Sequence, residues 1–320
     1  MTSWTWHGGG LEAARRHYGG SDWIDLSTGI NPHPWPGTDS QAIDWQRLPE
    51  PHALAELEAA AAGHFGLDPR HVCAVPGTEI GLRLVGGLIG GTARYVTPTY
   101  RTHGEMIAGA KPVALGEAGS GTLILANPNN PDGRTLPPAW LLDLLDARAD
   151  DGWLLLDEAF ADVDPALSLA PAIADARRLV IFRSFGKFFG LAGVRLGFVL
   201  GPAPILDAIR TRLGAWPVSA PAIAIGTAAY RDRDWIEAMR GQLHAEAKTL
   251  DTILIGAGHR PTGACPLFRL IEVPDGMALF ERLAAHAILT RPFAEQPRWL
   301  RIGLPGGGGL TRLEAALAHG

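Results

Sequence analysis

The 320-residue chain is short of several things, and each shortage removes a class of function. There are only two cysteines, Cys73 and Cys265, far apart and without C-x-x-C spacing, which excludes a disulfide framework and a cysteine-based zinc site. A reducing cytoplasm is the expected home. The eleven histidines form no H-x-x-x-H pair, so metal chemistry finds no ligand pattern. Basic charge is scarce as well. The formal net charge is -5, the pI is near 6.1, and no run of lysine or arginine interleaves with aromatics, which argues against nucleic acid as a partner. No stretch approaches the ~18 consecutive apolar residues of a membrane span. The opening Met1-Thr-Ser-Trp-Thr-Trp-His7 lacks the basic region and apolar stretch of an export signal. Neither a membrane nor export is expected.

What is abundant is apolar content, 47%, ample for a buried core, with 40 glycines and 25 prolines scattered at element boundaries rather than gathered in a tract. Short apolar runs at 72–75, 93–96, 122–126, 153–156, 179–182 and 197–200 alternate with helical periodicity at 53–65, 80–88, 139–148 and 204–213. Strands buried on both faces and separated by helices predict an α/β fold with a mostly parallel central sheet flanked by helices. After Trp216-Pro-Val-Ser-Ala-Pro221 the texture changes to a long helical stretch, 222–254, with a break near 231–234, and then to a smaller α+β domain. The expected organisation is an N-terminal arm, 1–45, packing on the small domain, a large domain, 46–218, and the small C-terminal domain, 219–320.

The chemistry centres on Lys187, in Arg183-Ser-Phe-Gly-Lys-Phe-Phe-Gly-Leu-Ala-Gly-Val-Arg-Leu-Gly197. A hydroxyl stands three residues before the lysine and an arginine eight after it. That combination suits a phosphorylated aldehyde: an amine that condenses with it, and a hydroxyl and a fixed cation for the phosphate. Other readings of the segment are weaker. Ser184 to Lys187 also matches S-x-x-K of serine β-lactamases, but their S-D-N and K-T-G companions are missing. Gly186-Lys187 lacks the earlier glycine and the following Ser or Thr of a P-loop. A solvated loop lysine stays open on this segment alone.

The rest of the chain narrows the choice. Leu154-Leu-Leu-Asp157-Glu158 puts a carboxylate at the carboxyl end of an apolar strand, where open α/β sheets bind ligands. It resembles a Walker B strand, yet no Walker A exists. A buried aspartate there can keep a pyridine nitrogen protonated. Asn127-Pro-Asn-Asn-Pro-Asp-Gly133 is turn chemistry by composition, and Asn130 within it can bond a ring hydroxyl. Tyr100 can stack on a flat ring, or be an ordinary loop aromatic. Gly77-Thr78 opens a helix after a strand, a natural anion site.

This set, in this order and spacing, resembles the fold-type I pyridoxal-phosphate enzymes of the aspartate aminotransferase superfamily over nearly the whole chain. The resemblance implies pyridoxal 5'-phosphate as cofactor, with Lys187 as the lysine that condenses with its aldehyde and Asp157 against the ring nitrogen. It further implies Asn130 on the ring hydroxyl, Tyr100 on the ring face, and Gly77, Thr78, Ser184 and Arg195 on the phosphate. Arg301, in Trp299-Leu-Arg-Ile-Gly303, matches the arginine that grips the substrate carboxylate, with Asn31 beside it. Where many members read D-E-A-Y, this chain has Phe160, so the ring hydroxyl is left to Asn130.

Within the superfamily, His7-Gly-Gly-Gly10 and Asp25-Leu-Ser-Thr-Gly-Ile-Asn-Pro32 are similar to the opening of the L-threonine O-phosphate decarboxylases of cobalamin biosynthesis, with histidinol-phosphate aminotransferases next. A histidine beside glycines offers a cation and free amides to a substrate phosphate, although alone it would read as a loose terminal residue. The expected reaction is decarboxylation of a phosphorylated amino acid. An aminotransferase is the alternative, and a non-catalytic cofactor-binding module the remote one. A regulator with a fused DNA-binding domain finds no room ahead of residue 45. By the same resemblance the protein is a homodimer.

Overall fold

The computed structural model describes residues 3–119, 121–148 and 152–318. These form two compact units, a larger one of residues 34–130 and 135–238 and a smaller one of residues 1–33, 131–134 and 239–320. In chain order the strands are β1 (Ile24–Asp25), then β2 (Val72–Val75), β3 (Ala93–Val96), β4 (Lys111–Val113), β5 (Thr122–Ala126), β6 (Leu154–Asp157), β7 (Leu179–Ser184) and β8 (Gly197–Leu200). They are followed by β9 (Pro261–Thr262), β10 (Phe268–Glu272), β11 (Ile288–Leu289), β12 (Arg291–Pro292) and β13 (Trp299–Gly303).

The larger unit is built on a seven-stranded sheet of order β2-β8-β7-β6-β5-β3-β4. Strands β4, β3, β5, β6 and β7 pair in parallel, and only β8 runs against both of its neighbours. The central strands β5 and β6 are buried at every position, as their unbroken apolar runs require when helices cover both faces. The expected strands are present. The edge strand β4 is additional: Lys-Pro-Val is short, exposed at Lys111 and Pro112, and carries no apolar pattern. The parallel arrangement sends the ends of β2, β3, β5, β6 and β7 to one edge of the sheet, and the antiparallel β8 starts there. That edge carries the site.

The large unit runs past the sequence boundary at 218 to Ala238. The physical reason is helix Ala220–Arg231, which lies close against helix Pro51–Phe65. A Cβ on Gly226 would stand 2.8 Å from Leu57 Cδ1 and 2.5 Å from Leu196 Cδ2, so the glycine permits the approach. Pro217 precedes this helix and Pro221 lies in its first turn, so both fall within the unit. As the sequence suggests, the helical stretch breaks at Asp232, between Ala220–Arg231 and Arg233–Gly256.

The smaller unit holds an antiparallel sheet of order β12-β13-β10-β9, and β1 pairs in parallel with β11. The N-terminal residues belong here. Trp4 meets Phe280, with 5.9 Å between ring centroids, and Leu26 bonds through its amide to Leu289. Residues 34–45 of the expected arm belong instead to the larger unit.

Candidate active site

Along the ligand-bearing edge of the large sheet lies a cavity of about 190 Å³ whose lining includes Gly77, Thr78, Tyr100, Asn130, Asp157, Ser184, Lys187 and Arg195. All the cofactor-binding residues expected from the sequence thus meet in one place within one unit. Four lie at or just beyond strand ends: Gly77 after β2, Asn130 after β5, Asp157 closing β6 and Ser184 closing β7.

The end of the cavity where the sequence places a phosphate is a cradle that glycine makes possible. Gly77 has φ +90° and precedes helix Thr78–Ile89, whose first amides face outward for want of an earlier turn. A Cβ on Gly77 would lie 2.5 Å from Arg195 Nη2, so the guanidinium sits directly over the bare backbone. Arg195 itself is in the left-handed region, φ 56°, unusual for an arginine and the means by which its side chain turns back toward Gly77. On the far side, a Cβ on Gly197 would meet Thr78 N at 2.6 Å. Ser184 leads into the single turn Phe185–Phe188, which brings Lys187 round three residues later onto the same side. Gly186 lets that turn pack on Ala192, where a Cβ would stand 2.6 Å from the Ala192 Cα.

At the other end Asp157 is held from two directions. One carboxylate oxygen accepts from the Ala159 amide at 3.0 Å, and the other pairs with His103 Nε2 at 2.9 Å. A carboxylate only accepts, so Nε2 carries the proton, and Thr99 Oγ1 lies 2.6 Å from Nδ1 to complete the ring. His103 is wholly buried. Sequence reasoning missed it, because its partner is 54 residues away.

Tyr100 donates its hydroxyl to Glu79 Oε2 at 3.1 Å, and Thr102 donates to the same oxygen at 2.9 Å. Burial, and then the charge of Glu79, raise the Tyr100 hydroxyl above its ordinary value and keep it neutral. Of the three asparagines in the Asn-Pro-Asn-Asn turn, Asn127 bonds Leu136 and Leu167 and Asn129 bonds the Pro98 carbonyl; Asn130 lines the cavity. Lys187 Nζ stands 5.5 Å from the centroid of Phe160, which also lines the cavity and is nearly buried.

The remaining expected residues lie in the smaller unit. Arg301, on β13, is buried, donates to the Ser27 carbonyl and stands over Phe268. Burial first, and the charge of Arg291 next, lower its guanidinium to about 9. Arg291 is directly across the ladder in β12, a second cation that the sequence did not single out. Ser27 also takes a bond from the Gly9 amide at 2.6 Å, which ties the His7-Gly-Gly segment to the same carbonyl-bearing residue as Arg301. His7 is exposed with its ring near Trp6, while Asn31 is buried and accepts from the His33 amide at 2.9 Å. An anion arriving at Arg301 would offset part of the cost of burying it.

The comparisons with known proteins fit this geometry. Residues 113–318 match the family described as aminotransferase class I and II. The chain is 42% identical to a threonine-phosphate decarboxylase of Sinorhizobium sp., over 98% of this chain and 97% of that one. The chain belongs to the class I and II aminotransferase family. A second threonine-phosphate decarboxylase, from Pseudomonas aeruginosa, is 41% identical over 97% of this chain and 96% of its own. Among solved structures, histidinol-phosphate aminotransferase from Sinorhizobium meliloti in complex with pyridoxal-5'-phosphate superposes with a TM-score of 0.86 at 22% identity, covering 97% of this chain and 94% of that one. This likeness shows the fold. In this member of the family, an amine, a helix start beside a guanidinium and a braced carboxylate share one cavity, and that donor set fits pyridoxal phosphate.

Proposed function

We propose that the protein is a pyridoxal-phosphate-dependent decarboxylase of L-threonine O-3-phosphate, releasing (R)-1-amino-2-propanol O-phosphate for cobalamin biosynthesis. The chemistry is carried by one observation: Lys187, Asp157 and the Gly77–Arg195 cradle open onto the same cavity. The choice of substrate is supported by two relatives of that name, similar over nearly their whole length.

Pyridoxal phosphate, when bound, supplies an electron-poor ring that accepts the electron pair of a bond broken at the substrate Cα. Its phosphate would be taken by the amides at Gly77–Thr78, the Ser184 hydroxyl and the Arg195 guanidinium, and its ring hydroxyl by Asn130. Asp157 would hold a proton at the ring nitrogen. His103, held by Thr99, braces the carboxylate, and Tyr100, tethered by Glu79, would cover the ring face. In decarboxylation the Cα–carboxylate bond breaks, CO2 leaves, and one proton must arrive at Cα. Lys187, as its ammonium, would deliver it and be left as the neutral amine, with the Phe160 ring centroid 5.5 Å from Nζ. Arg301, with Asn31 and His7, would bind the anionic groups of the substrate and so decide which bond at Cα stands perpendicular to the ring.

An aminotransferase of the histidinol-phosphate type is the second reading, since the cavity residues would serve both reactions and the family is named for transamination. A homodimer in the cytoplasm completes the proposal; two cysteines, Cys73 and Cys265, both buried, suit a reducing compartment. The test is to load the purified protein with pyridoxal phosphate and add L-threonine O-phosphate. Stoichiometric CO2 supports the decarboxylase; a keto acid without CO2 replaces it with the aminotransferase.

A further inference from the structure

Behind the cavity, among side chains that touch no expected ligand, lies a buried charged cluster centred on Arg183. Its guanidinium donates to Glu158 Oε2 at 2.9 Å, to Ser168 Oγ at 3.2 Å and to Asp162 Oδ1 at 2.5 Å, and lies 4.6 Å from the centroid of Phe65. Asp162 Oδ1 also meets His64 Nε2 at 2.9 Å, and Glu158 accepts from the Ser168 hydroxyl and from the Leu169 amide at 2.7 Å. Arg183, Glu158 and Asp162 are all at most 2% exposed. Such a cluster is expensive. Withdrawing three charges from water costs several kcal/mol per ion, and packed apolar residues of the same volume would hold a core as well or better.

What the cluster touches gives it a use. Glu158 comes directly after Asp157 ends β6, and the two carboxylates part there, Asp157 lining the cavity and Glu158 meeting Arg183. Arg183 immediately precedes Ser184, and its own carbonyl accepts from Thr78 Oγ1 at 3.2 Å. One residue thus joins the end of β6, the end of β7 and the start of helix Thr78–Ile89. These are the backbones that present Asp157, Ser184 and Thr78.

Resting on the cofactor assignment above, we infer that Arg183 is a positioning residue for the cofactor: its fork to Glu158 and Asp162 and its carbonyl to Thr78 fix the spacing between the ring-nitrogen carboxylate and the phosphate cradle. A fixed spacing matters because the cofactor is rigid across the ring, so it must meet Asp157 and the cradle together. A lysine ammonium keeps the charge but lacks the planar fork whose two nitrogens reach Glu158 and Asp162 separately, which makes Arg183→Lys the informative change.

The experiment uses the full-length protein, with Arg183→Lys and the milder Ser168→Ala, which removes one hydroxyl from the cluster. Wild-type protein that fails to bind pyridoxal phosphate would refute the cofactor assignment itself; the rest is read relative to wild type. For Arg183→Lys the dissociation constant of pyridoxal phosphate, measured by quenching of tryptophan fluorescence in the apoprotein, should rise by about 10- to 100-fold, the range typical of lost outer-shell support. The visible absorbance and induced circular dichroism of the bound cofactor should change with it. At saturating cofactor kcat should fall while KM for substrate stays within about twofold. Ser168→Ala should shift the same readouts in the same direction by about threefold. A purely structural cluster would lower Tm and leave cofactor affinity and spectrum at wild-type values, and that result overturns the inference. Should Arg183→Lys not fold, Ser168→Ala decides alone.

Discussion

Replacing Gly77 with alanine separates the two jobs of that residue, and the structure gives a magnitude for each. The backbone at Gly77 has φ +90°, where a methyl group costs about 1–2 kcal/mol. For a chain of this size that strain should lower Tm by about 2–4 °C per kcal/mol. The methyl would also lie 2.5 Å from Arg195 Nη2, too close for any real contact. The backbone here cannot yield cheaply, because Gly197 packs so closely on the other side that a Cβ added to it would stand 2.6 Å from Thr78 N. The flexible guanidinium moves instead, at little cost to the fold. What is lost is the charged hydrogen bond to the phosphate, worth about 1.5–3 kcal/mol, or about 10- to 150-fold in dissociation constant. The assay is titration of the apoprotein with pyridoxal phosphate beside a thermal melt. Gly87 is the control: it lies in the same helix with nothing within 4 Å of an added Cβ, so Gly87→Ala should raise Tm slightly and leave cofactor affinity unchanged. If Gly77→Ala lowers Tm but binds the cofactor as wild type does, Arg195 does not hold the phosphate.

Three further outcomes follow from the same geometry. Asp157→Asn should leave the fold intact and lower kcat by about 10²- to 10³-fold, and His103→Phe by about tenfold, because the first removes the carboxylate and the second only its brace; steady-state CO2 release measures both. Phe160→Tyr adds a hydroxyl to the ring whose centroid lies 5.5 Å from Lys187 Nζ, and the pH at which the cofactor's visible band changes should move relative to wild type; an unmoved midpoint would show that the amine does not sense the hydroxyl. Cys73 is pushed up from 9.0 to about 12, by burial first and by Glu58 next. The folded state therefore keeps the thiol proton longer than the unfolded chain does, and the stability this provides is whole below about pH 9 and lost as pH rises toward 12. Cys73→Ala should flatten the alkaline fall of Tm across that window, and iodoacetamide at pH 8 should leave Cys73 of the folded protein unmodified.

How much was legible beforehand depends on whether a residue announces itself alone or only through a partner. The central strands were readable because burial on both faces leaves an uninterrupted apolar run, as in Leu154-Leu-Leu, whereas β4 was not, since an edge strand of Lys-Pro-Val has no pattern to read. The residues that meet in the cavity were readable because glycines, a lysine and an aspartate sit at or near strand ends. The braces were not. His103 meets Asp157 across 54 residues and Arg183 meets Glu158 across 25, and from sequence each is a lone polar residue with nothing to name its partner.

The Asn-Pro-Asn-Asn turn shows where that limit lies. All three asparagines have the same chemistry, and Asn127 and Asn129 are consumed in pinning the loop to Leu136, Leu167 and Pro98. Their bonds hold the loop from which Asn130 lines the cavity. A turn motif and a binding motif are therefore the same segment here, with two amides building the turn so that the third can be aimed. Replacing Asn127 would disturb the cavity as surely as replacing Asn130, but through the loop. The difference is measurable, because Asn127→Ala should lower Tm and cofactor affinity together, whereas Asn130→Ala should lower affinity with Tm of the apoprotein nearly unchanged.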